Sequence, residues 1–377
     1  MPKTKELHIH QISFDIPIPV NYGGVIDVYF KLKALKNIGI KVHLHCFQYG
    51  RKKEKELEDL CESVNYYKRR INKTKLFKRL PYIVDTRSSE DLLKNLLKDD
   101  YPILFEGLHS CFHLNSDLLK NRKKIVRTHN IEHDYYSNLA KVEKNIFKRY
   151  YFFNEASKLK RFEEVLNHAN GIAAISKNDK IHFEKQYKNV TQVSAFHPNE
   201  DVVIKKGFGN YALYHGSLEV GENNQAALFL IKEIFNDINI PLIIAGNKPS
   251  KELVELANNN KNIELKTRVS SNKIYELVAN AQINILPTFQ ATGIKLKLLS
   301  ALYTGRHCIV NTPMVFQTGL EDLCSIQDSP ENMKSELKRL FKLEFNDDEI
   351  KKRKEILLKN GFSNLSNINK LVKILFP

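Results

Sequence analysis

A chain of 377 residues exceeds the roughly 250–300 at which a single hydrophobic core stops growing, so two domains are expected. With 42% apolar and 27% charged residues the composition is ordinary for a globular protein and excludes a disordered chain. The net charge of +16 suits nucleic acid, anionic lipid or phosphorylated substrates, or a solvated coat of scattered lysines.

The first element is a strand over residues 7–13, followed by a loop with Pro17, Pro19 and the pair Gly23-Gly24. Val25, Val28, Tyr29, Leu32 and Leu35 then recur on one helical face, and Gly39 stands where a helix ends. A second strand over 40–47 completes a strand–glycine loop–helix–strand unit, the opening of a Rossmann-like half. Strands are expected over 102–106 and 125–129, and a charged, aromatic-rich helical stretch over 130–168. Its run Phe147, Tyr150, Tyr151, Phe152 and Phe153 reads as core. A buried strand over 171–176, a helix after Asp179 and a strand over 190–195 close this half.

The stretch 196–210, with Pro198, Gly207 and Gly209, is the expected linker, which places the domains at 1–200 and 201–377. Strands follow over 211–214, 242–245, 263–265, 283–286 and 308–311, with helices opening near Asn224, Ser250, Ser271 and Gly293. Alternating strands and helices imply an α/β fold with parallel sheets covered on both faces. After Pro330 the chain reads as helices, the last of them expected to pack back on the N-terminal domain.

The chemistry is narrowed by exclusion. The first turn, NYGGVID, lacks GxGxxG, and no acid follows the second strand to hold a ribose. A P-loop, a GxSxG elbow and an HExxH helix are also absent. Cys46, Cys61, Cys111, Cys308 and Cys324 form no CxxC or zinc-spaced set and read as thiols in a reducing compartment. MPKTKELHIHQIS lacks the apolar core of a signal peptide, and no stretch spans a bilayer, so a cytoplasmic protein is expected. In the second half, Thr292, Gly293 and Ile294 stand where a strand gives way to a helix, whose free N–H groups suit a diphosphate. Lys295 is expected in that helix's first turn, where a cation opposes the macrodipole and invites a functional reading. Lys297 is expected on a different face.

Taken in order, NYGG, FEGLH, RTHNIEHDYY, ANGIAAISKND, FHPNED, YHGSLEVGENNQAA, PLIIAGNKPS, ILPTFQATGIKLKLLSAL and GRHCIVN resemble the group 1, family 4-like glycosyltransferases. The resemblance implies a GT-B architecture: two facing Rossmann-like domains, the first for the acceptor and the second for a nucleotide-sugar donor, with reaction in the cleft. It implies a retaining transfer to a glycan or lipid-linked acceptor that needs neither metal nor other cofactor. Gly23 and Gly24 would approach the donor diphosphate, His129 would stand beside the reacting sugar, and Gly216 and Ser217 would form the donor-domain glycine loop. Two glutamates usual in the family would stand at Thr292 and Ser300, and neither is acidic here. The basic pair after the first donor-domain strand is also missing, replaced by Glu219 and Glu222. These departures raise an alternative, a non-catalytic paralogue that binds a sugar or partners an active transferase. A sugar-nucleotide epimerase shares the architecture, but the order of segments disfavours it.

Three further features complete the expectations. Glu106 is a candidate acceptor-side base and His109 a candidate sugar contact, with structural hydrogen bonds the alternative. His133 and His197 read as structural. The segment from Lys68 to Arg79 is basic with interleaved Leu76, Phe77 and Leu80, which suits a peripheral contact with an anionic membrane surface, and no nucleic-acid motif accompanies it.

Overall fold

The computed structural model describes residues 6–143, 145–289 and 295–376. The chain divides into two units, Met1–Pro198 with Ser363–Pro377, and Asn199–Phe362.

The first unit is a seven-stranded sheet of parallel pairs, in the order β3-β2-β1-β4-β5-β6-β7. Its elements are β1 (His8–Ser13), α1 (Gly23–Asn37), β2 (Lys41–Gln48), β3 (Ser63–Lys68), β4 (Ile103–Glu106), β5 (Lys124–Thr128), α2 (Glu132–Val142), α3 (Ile146–Phe162), β6 (Gly171–Ala174), α4 (Lys177–Glu184) and β7 (Val190–Gln192). Alternation along each strand sends side chains to two separate cores. Ile9, Val42, Leu44, Leu104 and Ile125 pack with Val25, Val28, Leu32 and Leu35 of α1 and with Ile368, Leu371 and Leu375 of the closing helix Asn364–Leu375. Ile12, Phe105, Val126 and Ile172 pack on the other face with Leu159 of α3. The end of α1 is set by Gly39, whose φ of +79° lets its own N–H reach the Lys36 carbonyl at 2.9 Å while the Ile40 N–H reaches that of Leu35 at 3.0 Å.

The aromatic run on α3 differs from the expectation. Tyr151 and Phe152 are half-buried, and Phe152 packs edge-on to Tyr136 of α2 with ring centroids 5.9 Å apart. Phe147, Tyr150 and Phe153 are exposed. Residues 145–150, the first turn and a half of α3, are all exposed, whereas burial begins farther along the helix at Glu155 and Ala156. The basic segment is folded rather than loose: Arg69 donates to Thr86 Oγ1 at 2.8 Å and stacks on Tyr49, while Lys75 donates to the Asp85 carbonyl at 2.7 Å.

The second unit is a six-stranded sheet of parallel pairs in the order β10-β9-β8-β11-β12-β13. The strands are β8 (Ala212–His215), β9 (Leu242–Ala245), β10 (Ile263–Lys266), β11 (Ile283–Ile285), β12 (His307–Val310) and β13 (Ser325–Ile326). Helices α5 (Gly221–Phe229) and α6 (Leu296–Thr304) follow β8 and β11. The α6 segment LKLLSALYT buries Leu298, Leu299, Ala301 and Leu302 in the unit's core. That helix opens at Leu296, not near Gly293, and Thr292, Gly293 and Ile294 lie outside the described residues. Lys295 is therefore the residue before the helix, with extended backbone (φ −79°, ψ 118°), and Lys297 occupies the first turn instead. Helix begins at Leu296, and Lys297 takes the first-turn place in which a cation opposes the macrodipole.

Candidate active site

In both sheets the strand order reverses beside the first strand of the unit, between β1 and β4 and between β8 and β11. Open parallel sheets bind ligands at the carboxyl ends of strands at such a reversal. The candidate residues fall at those two places.

In the first unit a buried ionic network joins α1 to β4 and β5. Parallel register sets Glu106 beside Arg127, and α1 lays Asp27 and Lys31 over them, one turn apart. Lys31 Nζ donates at 2.8 Å to Asp27 Oδ2 and to both oxygens of Glu106. Arg127 Nη2 donates to Asp27 Oδ1 at 2.9 Å and to the Ser194 carbonyl at 3.1 Å, and the Phe196 N–H also reaches Asp27 Oδ1 at 2.8 Å. Gln11 donates to Glu106 Oε1 at 2.8 Å, and His129 Nε2 lies 3.0 Å from Glu106 Oε2. Asp27, Lys31, Glu106 and Arg127 are entirely buried. Burial alone would raise the two carboxyls. Arg127, Lys31 and His129 outweigh it at Asp27, and Lys31 and His129 outweigh it at Glu106, so both stay below the usual carboxylate range. Asp27, Glu106 and His129 have ligand atoms close enough for a metal, but the Lys31 ammonium and Arg127 guanidinium already fill that space.

This geometry decides what Glu106 can do. The buried Glu106 carboxylate accepts from Lys31, Gln11 and His129, so it is not a free base and it holds the His129 ring in place. The His129 ring meets Phe14 edge-on, with centroids 5.4 Å apart. Phe14 also lies against Gly24 so closely that a Cβ there would stand 2.7 Å from Phe14 Cζ. Gly24 is thus fixed as glycine by the residue that packs on His129.

His109 belongs to a neighbouring group. Gly107, with φ +67°, turns the chain after β4 so that His109 Nδ1 lies 3.7 Å from Glu132 Oε1, both atoms buried and without a hydrogen-bond partner among the described residues. Burial, then the charges of Arg87 and His129, holds His109 well below the usual histidine range. Burial, with Asp179 nearby, pushes Glu132 up to about 8, and burial pushes Asp179 up to about 6. A neutral imidazole beside the Glu132 carboxyl, which keeps its proton at neutrality, is an arrangement able to pass or accept a proton.

In the second unit the group forms around Glu222, in the first turn of α5. Thr288 Oγ1 donates to Glu222 Oε1, and Lys295 Nζ lies 3.5 Å from the same oxygen. Lys297 Nζ donates to Asn223 Oδ1 at 3.0 Å and sits 4.8 Å above the Tyr214 ring. Burial, and then the charge of Lys295, lowers Lys297 to about 8 despite Glu222. Burial and Lys297 together lower His215 to about 3. Lys297 and Ser300 share an α6 face. His215 Nε2 and Ser300 Oγ are buried with no partner among the described residues. Gly216 follows His215 under tight constraint: a Cβ on Gly246 would come 2.0 Å from the Gly216 carbonyl oxygen, and one on Gly216 would press Asn223 at 3.0 Å. The two cations and the unpartnered His215 Nε2 lie near the end of β8 and the start of α6, a combination of groups able to meet an anion and a hydroxyl.

Residues 209–342 match the family model for group 1 glycosyl transferases. The chain is 27% identical over 314 residues to an uncharacterised 44.6 kDa protein of the cps region in Klebsiella pneumoniae, covering 77% of this chain and 79% of that protein. Among solved structures it resembles TarM of S. aureus, in a complex that includes UDP (12% identity, 98% of this chain and 100% of that one, TM-score 0.66). It also resembles Anabaena HepE in complex with UDP and glucose (10%, 98% and 99%, TM-score 0.64) and the lipopolysaccharide galactosyltransferase WaaB (14%, 98% and 99%, TM-score 0.61). The fold is the GT-B class.

Within this fold, Lys295, Lys297 and Gly216 lie in one group with Glu222, Asn223 and His215, while Gly24, Glu106 and His129 lie in another, with His109 in the neighbouring group around Glu132. Lys297 is not set apart from Lys295: extended backbone at Lys295 breaks the helical spacing, and Lys295 Nζ meets Glu222 while Lys297 Nζ meets the adjacent Asn223. Ser217 accepts from Asn223 Nδ2 through its carbonyl at 3.0 Å. Gly23 is the first residue of α1. Sequence reasoning missed Asp27, Lys31, Arg87, Glu132, Asp179 and His215. A signal existed for the first pair, since Asp27 and Lys31 sit four apart beside the apolar stripe, the pattern also made by ordinary surface pairs.

Proposed function

We propose that the chain transfers a sugar from a nucleoside diphosphate to a glycan or lipid-linked acceptor, with retention of anomeric configuration and without a metal. The observation that carries the reading is Lys295 on Glu222 with Lys297 on the adjacent Asn223, together with His215 Nε2 and Ser300 Oγ, which have no partner among the described residues, inside the segment matched by the glycosyltransferase family. In this reading Lys295 and Lys297 bind the donor diphosphate and meet the charge that grows on it as the glycosidic bond breaks. That supplies in cationic side chains what a metal supplies elsewhere. His215 and Ser300 take donor hydroxyls. His129, held by Glu106, faces the reacting sugar, and the His109–Glu132 pair serves proton transfer at the acceptor. UDP in the TarM and HepE complexes makes uridine diphosphate sugars the first donors to test.

The test is a panel of nucleotide sugars. A donor that binds the native state raises the melting temperature with concentration, and the same donor should be slowly hydrolysed by the protein. No stabilisation by any nucleotide sugar overturns the reading. Stabilisation without hydrolysis or transfer to any glycan or lipid-linked acceptor favours a sugar-binding paralogue, which the serine at position 300 motivates.

A further inference from the structure

At the start of α3 the usual burial pattern of a helix is inverted. Ile146, Tyr150 and Phe153 lie at spacings of four and three, so they form one stripe, and Phe147 flanks it. Their exposures run from 65% at Phe153 to 86% at Phe147. Val142, at the end of α2, adds a further exposed side chain at the same tip. On a helix that packs into a globular core, large apolar side chains face inward and charges face water. Here the inward face is supplied by Ala156 and Leu159 and by Glu155, paired with Lys158 at 2.8 Å, while four large apolar side chains point to solvent. Scattered single apolar residues need no explanation, but a contiguous group does.

The charges along the exposed face of this stripe are basic, and the nearest acid, Glu143, is engaged by the Asn145 N–H at 2.9 Å. Lys148 and Arg149 are exposed within it, and Lys160 and Arg161 are exposed farther along the helix. From Asn145 to Asn154 the sequence holds no acidic residue. Aromatic side chains between basic ones on a projecting helix end are the composition of a surface that lies in a lipid headgroup layer: rings enter the boundary and cations meet anionic phosphates. A second copy of the chain fits poorly, because a two-fold contact through this stripe would set Lys148 and Arg149 against their own equivalents.

We propose that the tip formed by the end of α2 and the start of α3 docks on an anionic lipid surface, with Ile146, Phe147, Tyr150 and Phe153 inserting and Lys148 and Arg149 pairing with headgroup phosphates. This moves the membrane contact from the basic segment 68–79, where Arg69 and Lys75 are bound within the protein. The docking needs no sugar nucleotide, so it stands or falls separately from the sugar-transfer reading.

The experiment is vesicle flotation of the full chain without nucleotide, comparing phosphatidylcholine alone with phosphatidylcholine containing phosphatidylglycerol. Wild-type protein should float with the anionic vesicles and lose binding as salt rises. Phe147→Ser with Tyr150→Ser should weaken binding tenfold or more, and Lys148→Ala should weaken it about fivefold. Lys73→Ala with Lys78→Ala, in the basic segment, should have a smaller effect than either. All these side chains are exposed, so unchanged melting temperatures are expected and exclude misfolding as the cause. Absence of wild-type binding to anionic vesicles, or binding untouched by the Phe147/Tyr150 variant, overturns the proposal. So does a dimer in lipid-free sedimentation that the same variant abolishes, which would assign the stripe to a second copy.

Discussion

Lys31→Met removes the cation at the centre of the buried network while keeping most of its volume. Lys31 Nζ touches three carboxylate oxygens from two fully buried acids, and its loss leaves Arg127 beside Asp27 but no full-time cation bonded to Glu106 among the described residues. Breaking a buried pair from one side costs about 3–5 kcal/mol, because the partner charge stays buried without compensation. For a unit of this size each kcal/mol is worth about 2–4 °C, so the melting temperature should fall by about 6–20 °C. Adding Glu106→Gln removes the stranded charge and should recover part of the loss, which a double-mutant cycle in urea measures. The pH dependence carries a definite sign. Both carboxyls are lower in the folded state than their ordinary values of 3.8 and 4.5. The unfolded chain therefore takes up protons first, so the network's contribution is complete above about pH 5 and is lost as pH falls. A shift below about 2 °C in Lys31→Met, or no recovery in the double variant, would refute this account of the network.

Other outcomes follow from the same structure. His10, His43 and His45 form a ladder across β1 and β2, with His10 Nδ1 2.9 Å from His45 Nε2, and burial lowers all three from 6.5. Their unfolded forms bind protons more readily, so thermal stability should drop as pH falls below about 6.5, by up to about 1.4 kcal/mol per histidine at one pH unit lower. Glu132 has the opposite sign: raised to about 8, it weakens the fold increasingly as pH rises from its ordinary value of 4.5. Glu132→Gln should therefore stabilise the protein more at pH 8 than at pH 5 by melting temperature, while transfer activity falls if the His109 pair moves a proton. Gly107→Ala forces a side chain onto a φ of +67° and sets its Cβ 3.1 Å from His109 Nδ1. Denaturant unfolding should show a loss of about 1–2 kcal/mol.

The alternation of strands and helices was legible because each parallel strand is a short, nearly continuous apolar run with glycine or proline at its ends. Strand β9 spans Leu242–Ala245 as expected, and β8 and β12 shift by one residue. Strand β3 was not legible: SVNYYK sits at the sheet edge, mostly half-buried, and carries no clean period. The aromatic run on α3 misled because composition reports hydrophobicity but not which side of a helix the sheet covers. At the site, glycines and strand-end histidines were visible as residue types. What the sequence hid was pairing across long separations: Lys31 with Glu106, Arg127 with Asp27, Lys295 with Glu222. Without those partners Glu106 reads as a free base; with them it is a buried anchor for His129.

The central claim is that a nucleoside diphosphate sits on Lys295 and Lys297, and calorimetric titration of nucleoside diphosphates tests it most directly. A charge-assisted contact is worth about 1.5–3 kcal/mol and each 1.4 kcal/mol is tenfold, so Lys295→Ala and Lys297→Ala should each weaken binding about tenfold or more. Wild-type affinity should also decline as pH rises past about 8, where Lys297 sheds its proton. Equal diphosphate affinity in wild type and in both variants would contradict the account.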